Sequence, residues 1–247
     1  MSLSDAGTDM SPVKATILRT PMGRDVKVVE RGDGPPVVFL HSGVGSAGEW
    51  KQVFALWPDG YRLVAVEVYR DGTGPGVTGR RSLDDYADQV FAVAQHVDAP
   101  VHLVGFSWGG ATALWAAAAA PVLVDTLAVI EPETYGLLRT QDPGAYAQIR
   151  GLRDRWRADV RAGRWYEAFE EFVDFYNGPG SPAGWSSSRR DAFLAAAVDH
   201  AICDVVLQHL PRARHTLIEG AGHMMPLTHP EELTGTLLAF VESRGRG

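Results

Sequence analysis

The stretch Val101-His102-Leu103-Val104-Gly105-Phe106-Ser107-Trp108-Gly109-Gly110-Ala111 decides the reading of this chain. The apolar run from Val101 to Gly105 reads as a buried strand. An Ala-rich helix follows from Ala111 to Ala120 and stops at Pro121. The pattern G-x-S-x-G has meaning only between a strand and a helix, and here it has that context. A serine on so sharp a bend must adopt a strained backbone. Its neighbours two positions away must be small, because the bend brings strand and helix close. The helix start also brings backbone N–H groups and the positive end of a dipole to the hydroxyl. Ser107 is the candidate nucleophile.

Upstream, Val37-Val38-Phe39-Leu40 is an uninterrupted apolar run, as in a strand covered on both faces. His41-Ser42-Gly43-Val44-Gly45-Ser46 follows directly. Acyl transfer needs two N–H donors aimed at a developing oxyanion, and losing one costs roughly 3 kcal/mol. The amide of Trp108 is one candidate. Gly43 is the other, since a residue without a side chain lets the backbone approach a substrate. His41 itself reads as a hydrogen-bonded loop anchor. Downstream, Glu219-Gly220-Ala221-Gly222-His223-Met224-Met225-Pro226 lies after an expected final strand. Its glycines let the loop fold inward and present an imidazole, whose ordinary pKa of about 6.5 suits proton transfer. Of the eight histidines, His223 stands out by its loop and by its order after the serine. His229, before Pro230, reads as a helix cap.

The rest of the pattern alternates. Ala15 to Leu18 and Val26 to Glu30 flank Pro21-Met22-Gly23 and suggest a hairpin. Trp50 to Trp57 reads as a short helix and Tyr61 to Val68 as a strand. Ser82 opens a helix with Asp84 and Asp85 in its first turn. Thr126 to Ile130 is a further strand. Strands alternating with helices imply an α/β fold with a mainly parallel sheet and right-handed crossovers. From Tyr135 to about Arg190 the rhythm becomes helical and reads as a lid. Trp156, Trp165, Tyr166, Phe169, Phe172, Phe175 and Tyr176 gather on one face, mainly as lid core. Some of them, with Trp108 and Met224, would line an apolar pocket. A helix near His200 to Leu210, a strand near His215 to Ile218 and a helix from Pro230 to about Ser243 complete the chain. The expected organisation is a disordered leader over 1–12, a core over 13–134 and 191–247, and a helical lid over 135–190.

Composition narrows the partners. A chain of 247 residues, 45% hydrophobic, can bury one sizeable core. The net charge of -7 with no Lys/Arg run argues against nucleic acid. No apolar run reaches the roughly 18 residues needed to span a membrane, so a cytoplasmic protein is expected. Twenty arginines against three lysines suggest a GC-rich bacterial source. The single cysteine, Cys203, excludes an intrachain disulfide and a Cys-based zinc site, and reads as a buried, inert thiol.

Together GFSWGG, the HSGVGS loop and GAGHMMPLTHPEEL resemble the alpha/beta-hydrolase family over nearly the whole chain. The resemblance implies a sheet of about eight strands, a lid after the sixth strand and a Ser, acid, His order. Trp50, nine residues after His41, is spaced as in the family's carbon–carbon bond hydrolases and small esterases. Serine at the elbow argues against haloalkane dehalogenases and epoxide hydrolases, which use aspartate there. The family's usual acid, carried on a strand followed by G-x-x-D, has no counterpart here. Only Phe193 to Val198 could be that strand, and its alanines are poor strand formers. Against the usual domain length, about fifteen to thirty residues look deleted. Two acids stay open. Glu131 ends the strand before Pro132, at the sheet edge where α/β folds bind ligands, and leads. Asp199 precedes the histidine at a spacing close to the family's. Asp204, Glu133 and a water-supported dyad are lesser candidates.

The expected activity is cleavage of an ester, lactone or thioester of an apolar or aromatic small molecule through an acyl-enzyme, with Ser107, His223 and Glu131 as triad. No metal or organic cofactor is expected, and the partners are the small-molecule substrate and, as a candidate assembly, a second copy in a homodimer. The alternatives are a natural-product enzyme of the same fold performing cyclisation, rearrangement or acyl transfer, and a non-catalytic binder of apolar ligands.

Overall fold

The computed structural model describes residues 13–43, 45–68, 82–164, 167–168, 171, 174–175, 212–221 and 223–243. The leader over 1–12, the strand candidate 193–198, the helix candidate 200–210, Asp199, Cys203 and Asp204 lie outside them. The chain forms two compact units, Met1–Val129 and Ile130–Gly247.

The first unit is built on a sheet. Its strands are β1 (Lys14–Arg19), β2 (Asp25–Arg31), β3 (Pro36–Leu40), β4 (Arg62–Val66), β5 (Val101–Phe106) and β6 (Val124–Ile130). The spatial order is β1-β2-β4-β3-β5-β6. β1 and β2 form the expected hairpin, and β2 also runs antiparallel to β4. β3 pairs in parallel with β4 on one side and β5 on the other. All five residues of β3 are buried, because a central parallel strand is covered on both faces.

Alternation along the strands divides the core. Val38 and Leu40 share a cluster with Val64, Val66, Leu103 and the apolar stripes of helices α2 (Leu83–Val97) and α3 (Trp108–Ala119). Phe39 points the opposite way, as the strand period of two requires. Its ring meets Trp50 at 5.1 Å, Phe54 at 5.2 Å and Trp57 at 5.5 Å, on the 3-10 turn Ala47–Trp50, on α1 (Lys51–Leu56) and just after it. Ser82 caps α2 in a reciprocal capping box with Asp85, which satisfies two amides at the helix start.

The second unit carries helices after β6. A 3-10 turn, Tyr135–Leu137, leads into α4 (Leu138–Gln141) and α5 (Pro143–Arg161). Leu138 and Ala145 bury against Tyr135, Tyr146 and Ile149. Of the seven aromatics expected along this segment, Trp156 and Phe175 are described. Phe175 packs on Leu152, whereas Trp156 is 39% exposed and stands outside that core. Helices α6 (Met225–Thr228) and α7 (Pro230–Glu242) are the last described elements. No described helix is long and apolar enough to cross a membrane.

One expected element is absent. Residues 215–218 form no strand; they are irregular, and Leu217 is 56% exposed. A strand exists through its ladder, and none of the described strands pairs with this stretch.

On β2, Glu30 is held in a polar cluster. Its carboxylate accepts from Arg62 at 2.7 Å and from Thr16 at 3.0 Å, with His96 at 3.4 Å. Burial acts to raise its pKa. The Arg62 and Thr16 hydrogen bonds, the Arg62 charge and the His96 contact outweigh burial and leave it below the ordinary value. A depressed carboxylate stabilises the fold above its unfolded pKa, near 4.5, and that contribution fades as pH falls through the folded value. Glu30→Gln is therefore expected to flatten the acid limb of a urea-midpoint series against pH. An unchanged slope would count against the cluster's role.

Candidate active site

Ser107 sits between β5 and α3 with φ 54° and ψ -117°. Three described residues other than glycine have positive φ: Asp98, Ser107 and Glu131. Asp98 is the left-handed C-cap of α2, a position that Asp tolerates. Ser107 lies outside that basin, so its conformation is strained and must be held by packing. The neighbours show how. A Cβ on Gly105 would fall 2.4 Å from the Gly109 carbonyl oxygen. A Cβ on Gly109 would fall 2.4 Å from the Leu40 oxygen and 2.6 Å from that of His41. Both glycines are thus required by contact, and α3 presses directly on the ends of β5 and β3.

The sheet order explains the location. The chain leaves β3 to one side for β4 and to the other for β5, so the carboxyl ends of β3 and β5 flank a topological switch point. Ligands in open α/β sheets bind in that crevice. Ser107 directly follows β5, and the His41–Gly43 loop directly follows β3. A Cβ on Gly43 would lie 3.3 Å from the Trp108 Cβ, so the loop and the elbow are in direct contact. The Trp108 amide begins α3 and has no intrahelical acceptor. Its ring packs edge-on against Tyr86 at 5.3 Å.

His41 is 1% exposed, and both its ring nitrogens are engaged. Nε2 accepts the Val68 amide at 2.9 Å, so Nδ1 carries the proton and donates to the Ser42 oxygen at 2.6 Å. Glu67 Oε1, 3.7 Å from Nε2, makes no ion pair with this neutral tautomer. His41 anchors the loop.

The second unit holds a separate pair. Glu131 follows β6 at φ 42°, a strained setting for glutamate, and precedes Pro132. Its Oε2 hydrogen-bonds His223 Nδ1. His223 is 6% exposed and occupies the turn before α6. Gly220 helps shape that turn, with φ 73°. The bond assigns the proton to Nδ1 and leaves the lone pair on Nε2, the arrangement of an imidazole ready to accept a proton. Among the described residues no group of three His, Cys, Asp or Glu could hold a metal ion.

Two points depart from the sequence expectation. His229 occupies the N-cap position of α7, but its side chain makes no cap bond and its Nδ1 meets the Thr228 hydroxyl at 2.9 Å. Capping is done by short oxygen-bearing side chains. Here Pro230, which has no N–H, and the acidic Glu231 and Glu232 replace it. The second is Glu49, a buried carboxylate bonded to Ser42 that no sequence motif marks. Its only signal was an acidic residue placed one before a tryptophan in a Gly-rich turn.

The chain belongs to the alpha/beta hydrolase family, whose profile matches residues 37–236. It is similar to (E)-2-((N-methylformamido)methylene)succinate hydrolase of Acinetobacter baylyi, 24% identical, with 89% of this chain and 95% of that protein covered. Among solved structures it resembles an esterase from Exiguobacterium antarcticum. There the TM-score is 0.64 at 20% identity, covering 93% of this chain and all of the other. An epoxide hydrolase from an endophytic Streptomyces superposes with a TM-score of 0.62 at 20% identity, covering 95% and 97%. The fold is common to these proteins, and hydrolase is the enzyme class they support.

The glycine geometry yields a paired expectation. Gly109→Ala must push on two backbone carbonyls and should cost about 2 kcal/mol or more. Gly235→Ala, in α7 with open space around it, should gain up to about 1 kcal/mol of helix propensity. Urea unfolding of both variants checks the pair.

Proposed function

We propose that this protein is a serine hydrolase cleaving an ester, lactone or thioester of an apolar small molecule. The observation that carries this reading is the strained Ser107 backbone locked between two sterically required glycines. Strain of this kind persists where it aims a reacting group. The Glu131–His223 hydrogen bond supports it, as does the chain order serine, acid, histidine.

In this reading the Ser107 oxygen attacks the substrate carbonyl carbon as its proton passes to His223 Nε2. The Trp108 and Gly43 amides stabilise the resulting oxyanion. The imidazolium, steadied by the Glu131 carboxylate, returns its proton to the leaving oxygen or sulfur, and the acyl-enzyme remains. Water then attacks that ester with His223 again as base, and Ser107 is regenerated. Trp108, partly buried beside Gly43, gives the site an apolar neighbour, which favours an apolar acyl group. The helices over 135–161 serve as part of a lid.

Ser107→Ala is expected to abolish p-nitrophenyl ester turnover and covalent labelling by a fluorophosphonate. Full labelling of that variant would refute the assignment of the nucleophile. Glu131→Gln should lower kcat by about 10⁴-fold, through the wrong imidazole tautomer and an unsupported imidazolium. Asp199→Asn should leave kcat near wild type, and the reverse ranking would move the acid to Asp199.

A further inference from the structure

We infer that Glu49 is a positioning residue that holds the oxyanion loop, a role that rests on the serine-hydrolase reading. Glu49 lies on the short 3-10 turn Ala47–Trp50, yet it is only 6% exposed. A carboxylate turned away from water on a surface turn loses solvation that its new partners must replace. Its partners are both on Ser42: Oε2 accepts the Ser42 amide at 2.9 Å, and Oε1 accepts the Ser42 hydroxyl at 2.7 Å. The loop wraps closely round the carboxylate, since a Cβ on Gly45 would fall 2.1 Å from Oε1.

Ser42 is gripped from the other side as well. Its carbonyl oxygen accepts from His41 Nδ1 at 2.6 Å and from the Gly45 amide at 3.2 Å. That oxygen belongs to the same peptide plane as the Gly43 N–H. In a trans peptide the two point in opposite directions. Fixing Ser42 by its amide, hydroxyl and carbonyl therefore fixes where the Gly43 N–H points. Glu49 supplies two of those restraints without touching the reacting atoms. A Glu67 oxygen, 3.2 Å from the Ala47 amide, restrains the far end of the same segment.

The test compares Glu49→Ala with Glu49→Gln. The glutamine amide can accept from the Ser42 N–H and donate to the Ser42 oxygen, so it preserves the restraint without the charge. Glu49→Ala should lower kcat on p-nitrophenyl esters by up to about a hundredfold, the cost of a roughly 1 Å misplacement, with KM nearly unchanged. Glu49→Gln should restore most of that loss. Amide hydrogen exchange by mass spectrometry is the second readout. Peptides covering 41–46 should exchange faster in Glu49→Ala and not in Glu49→Gln, while peptides across β5 and α3 stay as in wild type. Ser42→Ala, which removes only the hydroxyl bond, should fall between and serves if Glu49→Ala does not fold. Unaltered exchange over 41–46, an unaltered kcat, or a glutamine variant as impaired as alanine would each overturn the inference. If the wild-type enzyme neither turns over esters nor labels with a fluorophosphonate, the hydrolase reading fails instead. The exchange comparison then still decides whether Glu49 holds the loop.

Discussion

The first unit is organised by one close approach: the N-terminus of α3 lies against the carboxyl ends of β3 and β5. Glycine at 105 and 109 removes the atoms that would forbid it. The approach forces the bend at Ser107 and sets the Trp108 amide at the head of the helix. It also brings the Gly43 loop into contact with that residue. Strain at a single serine is tolerable because the buried ladder of β3, β4 and β5 and the clusters on both its faces over-determine the bend.

The buried polar groups of the His41 loop and of the Glu131–His223 pair, each within its own unit, follow one rule. The imidazoles and carboxylates concerned are each committed to a backbone or side-chain partner. His41 is spent on Val68 and Ser42, Glu49 on Ser42, and Glu131 on His223. The partner at Nδ1 separates the two histidines: a backbone carbonyl for His41 and a carboxylate for His223. His41, bonded at both nitrogens, is held in a single tautomer as scaffold. His223, tied by a carboxylate at Nδ1, has the protonation pattern suited to a base at Nε2.

The sequence was most legible where local chemistry and long-range packing agree. The five-residue apolar run of β3, the Ser82 cap and the G-x-S-x-G bend each have a local cause that the fold reinforces. The β1–β2 hairpin and the first turn of α2 were readable for the same reason. Residues 215–218 misled because an alternating pattern cannot announce whether a partner strand exists. His229 misled because the position was right for a cap and the side chain was too long for one. Glu49 went unnoticed because burial of a carboxylate depends on where a loop closes, which no local pattern encodes. Glu131 could be placed among the candidates by its position after a strand. Its pairing with His223, 92 residues further on, is a tertiary fact.

The seat of Glu131 has an evolutionary reach. A carboxylate on the residue directly after a sheet strand borrows the rigidity of the backbone ladder and needs no loop of its own. If that carboxylate orients the imidazole, the chain between α5 and the His223 turn is relieved of carrying a reacting group. Insertions and deletions there would then leave proton handling alone. A lineage built this way can reshape its specificity by trading whole segments, where one with its acid in that interval must conserve the interval's length.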